Sequence, residues 1–260
     1  MTERPYTAEI SKGQGLIEET VALLRCWEPG MSTADLKEEV RRKGIIDRAT
    51  ALRVNDIVGR IFALRYLTED ARPAINLKIL LELGVSIQKL NGIFFLQTCR
   101  AHTVLYDFVS EVYWGKYEAG ATHITKSDAL SFIERAKNIG LISPPWSEST
   151  TTRIARYLGS ALGDFVLAGK DRGGRREILP FRIDKLTALY LAHDLHFQDI
   201  SDNSVVEHPD WRLFGLTARD VRLELERVSG GHLILQSSGE LTRISWKHKT
   251  MEDALHAVAT

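Results

Sequence analysis

The stretch AGKDRGGRREILPFRI, residues 168 to 183, sets Lys170, Arg172, Arg175 and Arg176 around the pair Gly173 and Gly174. Guanidinium groups make paired hydrogen bonds to phosphate oxygens and an ammonium adds a point charge, so this loop, residues 169–176, has the chemistry to hold an anion. The segment just before it, TTTRIARYLGSALGDFVLAG, adds Arg153 and Arg156. At helical spacing Ile154, Leu158, Ala161, Leu162 and Phe165 form an apolar stripe, with Arg156, Gly159, Ser160 and Gly163 opposite it and Arg153 close by. Small residues there allow close approach by a phosphate backbone or a neighbouring helix, and free amides around residues 149–152 suit an anion as well. Over residues 149–190 bases outnumber acids roughly two to one. Over the whole chain 34 lysines and arginines balance 34 aspartates and glutamates. Any anion-binding surface is therefore a local patch, and its plain alternative is a solvated loop without a partner.

Further cations stand near the C-terminal end. LTARDVRLELERV places Arg219 and Arg222 in the first turns of a helix, and a following hairpin carries Arg243, Lys247 and Lys249. Glu224 and Glu226 soften that charge, and Arg222 is spaced for a helical ion pair with Glu226. RRKG, residues 41–44, closes a helix, where cations complement the dipole. A different chemistry is offered by AHDLHFQD, with His193, Asp194, His196 and Asp199 close together, the residue types of a metal-dependent phosphohydrolase. Such a site also needs ligands from other helices, and no second set presents itself. SKGQGL lacks the third glycine and the preceding strand of a dinucleotide fingerprint, so it reads as a flexible entry to a helix. Neither a nucleophile elbow nor a zinc-protease helix occurs. The expectation is a protein without catalytic residues, metal or cofactor.

The elements that must position these cations divide at about residue 143. Residues 14–27, 32–43, 47–66, 86–101 and 103–117 read as helices, with Leu52, Ile57, Ile61 and Leu64 expected on the buried side of the third. Ser32 with Asp35 and Thr125 with Asp128 match capping boxes, and Gly44 and Gly140 sit where left-handed stops are needed. Pro144-Pro145 cannot continue a helix. Beyond it come a helix from Ser149, the basic loop, a strand EILPFRI, a helix from Asp184 to Phe197, a helix capped by Thr217 and Asp220, and HLILQ and LTRISW around SSGE, a hairpin turn. That order is the one of a winged helix-turn-helix. The fold class expected is mainly α: an N-terminal helical bundle, 1–143, and a winged-helix-like α+β domain with a small hairpin sheet, 144–260. Cys26 and Cys99 sit in apolar helical patterns and read as reduced thiols of a cytoplasmic protein. Charges interrupt both long apolar runs, so no membrane span is expected.

EISKGQGLIEET, YDFVSEVYWGKY and above all WSESTTTRIARYLGSALGDFVLAG, followed by a basic loop and a strand, resemble the BrxA family of bacteriophage exclusion (BREX) defence systems over nearly the whole chain. The resemblance implies a small cytosolic accessory protein that works with other BREX defence proteins. It also implies a helical fold like that of the antitermination factor NusB, and association with double-stranded DNA, with no defined catalytic residue. Joined to the residues read above, it gives the expectation of non-enzymatic duplex binding. Arg153, Arg156, Lys170, Arg172, Arg175 and Arg176 would hold the backbone, with Arg219, Arg222 and Arg243 as further contacts. Two alternatives stand beside it: a scaffold for other defence proteins with no direct DNA role, and a metal-dependent hydrolase built on His193 and His196.

Overall fold

The computed structural model describes residues 5–13, 15–46, 50–238 and 241–259. In chain order the elements are α1 (Ile17–Cys26), α2 (Thr33–Lys43), α3 (Ala51–Asn55), α4 (Ala63–Tyr66), α5 (Arg72–Glu82), α6 (Ile87–Ala101), α7 (Thr103–Asp107), α8 (Trp114–Glu118), β1 (His123–Thr125), α9 (Lys126–Asn138), α10 (Glu148–Asp164), β2 (Arg175–Glu177), α11 (Lys185–His196), α12 (Asp202–Glu207), α13 (Ala218–Val228), β3 (Leu233–Ser238), β4 (Leu241–Trp246) and α14 (Met251–Ala259). The π-helical stretch Asp56–Phe62 joins α3 to α4, and Phe108–Tyr113 joins α7 to α8. Two two-stranded antiparallel sheets, β1–β2 and β3–β4, accompany the helices, so the fold is mainly α with a small hairpin.

Local chemistry sets many of these boundaries. Ser32–Asp35, Thr125–Asp128 and Thr217–Asp220 all form reciprocal capping boxes, in which side-chain oxygens take up amides that the first helical turn leaves unpaired. Gly44 ends α2 with φ of 62°, in the left-handed region that a side chain disfavours. The third helix begins at Ala51, capped by Thr50; Asp47, the expected start, lies outside the described residues. Its buried stripe is Val54, Ile57, Val58, Ile61, Phe62, Arg65 and Tyr66. Leu52 and Leu64 are exposed instead of buried. The run at 54, 57, 58, 61, 62, 65 and 66 keeps helical spacing throughout, and neither leucine falls on it.

The compact units are discontinuous in sequence. One comprises Met1–Asp70 and Gln97–Phe181, the other Ala71–Leu96 and Arg182–Thr260. The boundary expected at 143–144 falls inside the first unit, and α10 and β2 belong to that unit while α11 to α14 and the β3–β4 hairpin belong to the second. The strand expected over EILPFRI does not form there: β2, Arg175–Glu177, reaches only its first residue, Ile178 makes an isolated bridge to Ala168, and the chain from Leu179 to Ile183 is not a strand. β2 pairs with β1 and not with the hairpin, in the register His123 to Glu177 and Thr125 to Arg175. A winged-helix sheet that borrows the strand after the basic loop is therefore not the arrangement found.

In the first unit Ile10, Leu23, Leu24, Trp27, Phe62, Phe108 and Ile154 are fully buried. Arg65, 1% exposed, occupies a core position. Its guanidinium donates to the carbonyls of Gly13 (2.7 Å) and Gly15 (3.4 Å) and to Nε2 of His102 (3.3 Å). Gly15 N donates to Asp164 (2.9 Å). A Cβ at Gly13 would lie 2.3 Å from Leu16 Cδ1, and one at Gly15 2.9 Å from Asp164 Cβ. The glycines of SKGQGL thus serve tight packing around a buried cation, which the reading as a flexible entry missed.

In the second unit α11 is buried on nearly every side, and Asp184 caps it through Thr187 N (2.9 Å). Asp202 at the start of α12 accepts from Ile244 N (2.9 Å) and Trp246 Nε1 (3.0 Å), tying β4 to the helices. Gly239 and Glu240 of the expected SSGE turn lie outside the described residues.

Candidate functional site

The basic loop is built as the tip of a hairpin. Gly169 N donates to Glu177 O (2.8 Å), Arg172 N to Arg175 O (2.9 Å), and Leu179 N to Leu167 O (3.0 Å). At the turn Gly173 and Gly174 have φ of 66° and 82°, the left-handed pair that a two-residue hairpin turn with right-handed strand twist demands. Asp171 closes it by accepting from Gly174 N (2.8 Å). Gly174 O in turn accepts from Lys126 N (2.8 Å), and Tyr113 donates its hydroxyl proton to Leu167 O (2.8 Å) at the base. The glycine pair therefore shapes a defined turn that holds its cations out from the surface.

Strand alternation sorts those cations. Arg175 and Glu177 are exposed, whereas Arg176 turns to the other face and lies on α10. Arg176 Nη1 donates to Gly169 O (3.0 Å), Nε stands 3.8 Å from Asp171, and the side chain is 15% exposed. A Cβ at Gly163 would fall 2.7 Å from Arg176 Nη1, and one at Gly159 3.6 Å from Nε. The small residues of α10 thus receive Arg176 of the same unit, where a phosphate backbone or another helix was expected.

Next to it opens a cleft of about 410 Å³. The buried side chains of Phe108, Ile124, Ala129 and Ala155 lie beneath it, while Lys126, Arg153, Arg156 and Arg176 line it with Asp171, Ser149 and Thr152. α10 presents Arg153 and Arg156 because its buried stripe, Ile154, Ala155, Leu158, Ala161 and Leu162, fixes which side faces out. Arg153, Arg156 and Lys126 are exposed, as are Lys170, Arg172 and Arg175 on the hairpin arm. None of these six has a carboxylate of the described residues within ion-pair distance. Lys126 was missed by the reading from sequence. Its signal was a cation in the first turn of a helix, where the dipole disfavours it.

The remaining cations belong to the second unit. Arg219 is exposed in the first turn of α13 and Arg243 is exposed on β4. Arg222 is committed internally. Its Nε donates to Thr242 Oγ1 (2.8 Å) and its Nη2 lies 3.9 Å from Glu207, with the side chain 18% exposed. The ion pair expected with Glu226 is replaced by these contacts, and Glu224 pairs with Arg227 and Arg182. Around the His-Asp segment, His193 Nδ1 is 2.8 Å from Leu189 O, Asp194 accepts from Gln198 (3.1 Å), and His196 stacks on Trp246 at 4.2 Å. Burial holds the His193 imidazole down at about 4. Among the described residues no group of three or more His, Cys, Asp or Glu side chains is placed to hold a metal ion.

Fold and site together define a mainly helical protein that presents a cationic hairpin arm beside a cation-rimmed cleft. The family model BrxA matches residues 4–194, and the chain belongs to the BrxA family, which associates it with BREX phage defence. Among solved structures it resembles the crystal structure of an uncharacterized protein from Magnetospirillum magneticum, with a TM-score of 0.55 and 14% identity over 81% of this chain and 98% of that one, a likeness of fold alone. No curated protein matches the chain. Among the described residues no helix is long and apolar enough to cross a membrane.

Proposed function

We propose that this protein binds duplex DNA without catalysing a reaction on it, as a cytoplasmic accessory component that works with other BREX defence proteins. The observation that supports this most directly is the exposed hairpin arm. Lys170, Arg172 and Arg175 project from a turn fixed by backbone and Asp171 hydrogen bonds, with no carboxylate of the described residues within ion-pair distance of them. Arg153 and Arg156 of the same unit extend the surface, whereas Arg176 acts as the strut that seats the arm on α10. Cations held without internal partners keep their full attraction for phosphates, and a rigid arm loses little entropy on binding. Contacts of this kind read the backbone and carry little sequence preference.

Arg219 and Arg243 are second-tier contacts in this reading. Arg222, spent on Thr242 and Glu207, is assigned to holding α13 against the hairpin. The winged-helix role of α13 and the likeness to NusB that the family implies belong to the same proposal.

A duplex titration across a range of salt concentrations tests it. The native protein is expected to show a steep linear fall of log affinity with log salt. The Lys170→Ala, Arg172→Ala, Arg175→Ala variant should flatten the slope by up to about 3, close to one for each phosphate that no longer meets a cation. Equal slopes for the two proteins would remove the arm from the interface. Absence of duplex binding, with partner proteins still recovered from nuclease-treated cell extract, would favour the scaffold reading.

A further inference from the structure

The cleft beside the arm has features that a duplex backbone does not use. Its volume, about 410 Å³, lies within the range of small-molecule sites and is far too small for a double helix. The surface it opens to water is mostly apolar, with the buried side chains of Phe108, Ile124, Ala129 and Ala155 packed beneath it, although three exposed cations surround its mouth. Phosphate contacts need charge at a surface; they gain nothing from an apolar floor beneath it. A flat ring does gain, because covering the open apolar lining removes both surfaces from water. The rim supplies the complementary half: Arg153, Arg156 and Lys126 without carboxylate partners among the described residues, and Thr152 as an exposed hydroxyl. Asp171, the carboxylate there, is already engaged by Gly174 N and faces Arg176, so it does not neutralise the other three.

From this juxtaposition we infer that the cleft is a binding site for a single nucleotide, its base against the apolar lining and its phosphate on Arg153, Arg156 and Lys126. The nucleotide is either free in solution or the terminal unit of a DNA strand; the chemistry recognised is the same. The site shares Arg153 and Arg156 with the duplex surface proposed above and takes Asp171, Gly174 and Arg176 of the hairpin into its wall, but it does not use the exposed arm cations Lys170, Arg172 and Arg175.

The test is calorimetric titration of the full chain with AMP at low salt, beside adenosine and inorganic phosphate. AMP is expected to bind at one site, with each of the two fragments weaker by roughly tenfold or more, because each keeps one half of the recognition. Arg156→Ala should weaken AMP by roughly tenfold or more, as loss of a charged hydrogen bond does. Thr152→Trp, at an exposed position on the rim, should block the cleft by bulk alone. The Lys170→Ala, Arg172→Ala, Arg175→Ala variant should bind AMP normally while its duplex salt slope flattens, which separates this site from the duplex reading. A duplex with a 5′-phosphorylated one-nucleotide overhang, compared with its blunt form, identifies the source. Tighter binding of the overhang that Thr152→Trp abolishes assigns the cleft to a strand terminus, even where free AMP binds weakly. The inference is overturned if neither AMP nor the overhang is recognised, if phosphate alone binds as tightly as AMP, or if binding survives both Arg156→Ala and Thr152→Trp.

Discussion

His102 makes the stability of the first unit depend on pH in a way that can be worked out in advance. The ring is 2% exposed and accepts a hydrogen bond from Arg65 Nε at 3.3 Å. Burial first, and then the Arg65 charge, hold its imidazole down at about 3, from an ordinary 6.5. In the unfolded chain the ring takes a proton near pH 6.5; in the folded chain it stays neutral until about 3. Unfolding therefore takes up a proton between those limits, and the folded state loses stability as pH falls, with its full contribution present above 6.5. At pH 5 the loss is about 1.5 units, or roughly 2 kcal/mol at 1.36 kcal/mol per unit. Urea denaturation followed by circular dichroism at pH 7.5 and pH 5.0, on the native protein and on His102→Gln, measures it. Comparing the change with pH, and not the absolute stability, cancels whatever the glutamine itself costs in packing. The native protein should lose about 2 kcal/mol more than the variant over that interval. Equal losses would show that His102 does not stay neutral in the fold and would refute the account of the Arg65 cluster. His193, in the second unit and held down at about 4, should act in the same direction.

Replacing Arg176 by alanine should destabilise the first unit by about 1–2 kcal/mol, through loss of its bond to Gly169 and its packing on α10. Arg175→Ala should stay within about 0.5 kcal/mol; a reversed order in urea midpoints would contradict the strand alternation assigned to β2. In the second unit, Gly92→Ala should cost about 1–3 kcal/mol, because a Cβ there would lie 2.3 Å from Thr187 Oγ1 and disturb the Asp184 cap of α11. Asp202→Ala leaves Ile244 N and Trp246 Nε1 without their acceptor. A drop in stability of about 1–3 kcal/mol and faster amide exchange at Ile244 are expected, and unchanged exchange would count against the tie between β4 and α12.

Where an element is decided by neighbours three or four residues away, the chain could be read directly. Capping boxes at Ser32, Thr125 and Thr217 set helix starts, and Gly44 and Gly140 mark stops with positive φ. The amphipathic side of α10 was also legible, since Ile154, Leu158, Ala161, Leu162 and Phe165 are all buried and Arg153 and Arg156 face out. Legibility failed where the deciding partner is far away in sequence. Arg65 looks like one more helical arginine until Gly13, Gly15 and His102 close around it. The strand β1 is three residues long and carries no pattern of its own; it exists because β2, some fifty residues on, supplies its partner.

The same distinction governs the candidate site. Charge type and local concentration are properties of composition, so the basic stretch and its anion-binding chemistry followed from residues 149–190 alone. Which cations of the chain take internal partners was settled by tertiary packing. Arg176 is drawn onto Gly159 and Gly163, Arg222 onto Thr242, while Lys126 joins the cleft from another helix. A side chain's ion and hydrogen-bond partners depend on through-space distances of about 3 to 4 Å, and sequence separation carries almost no information about those.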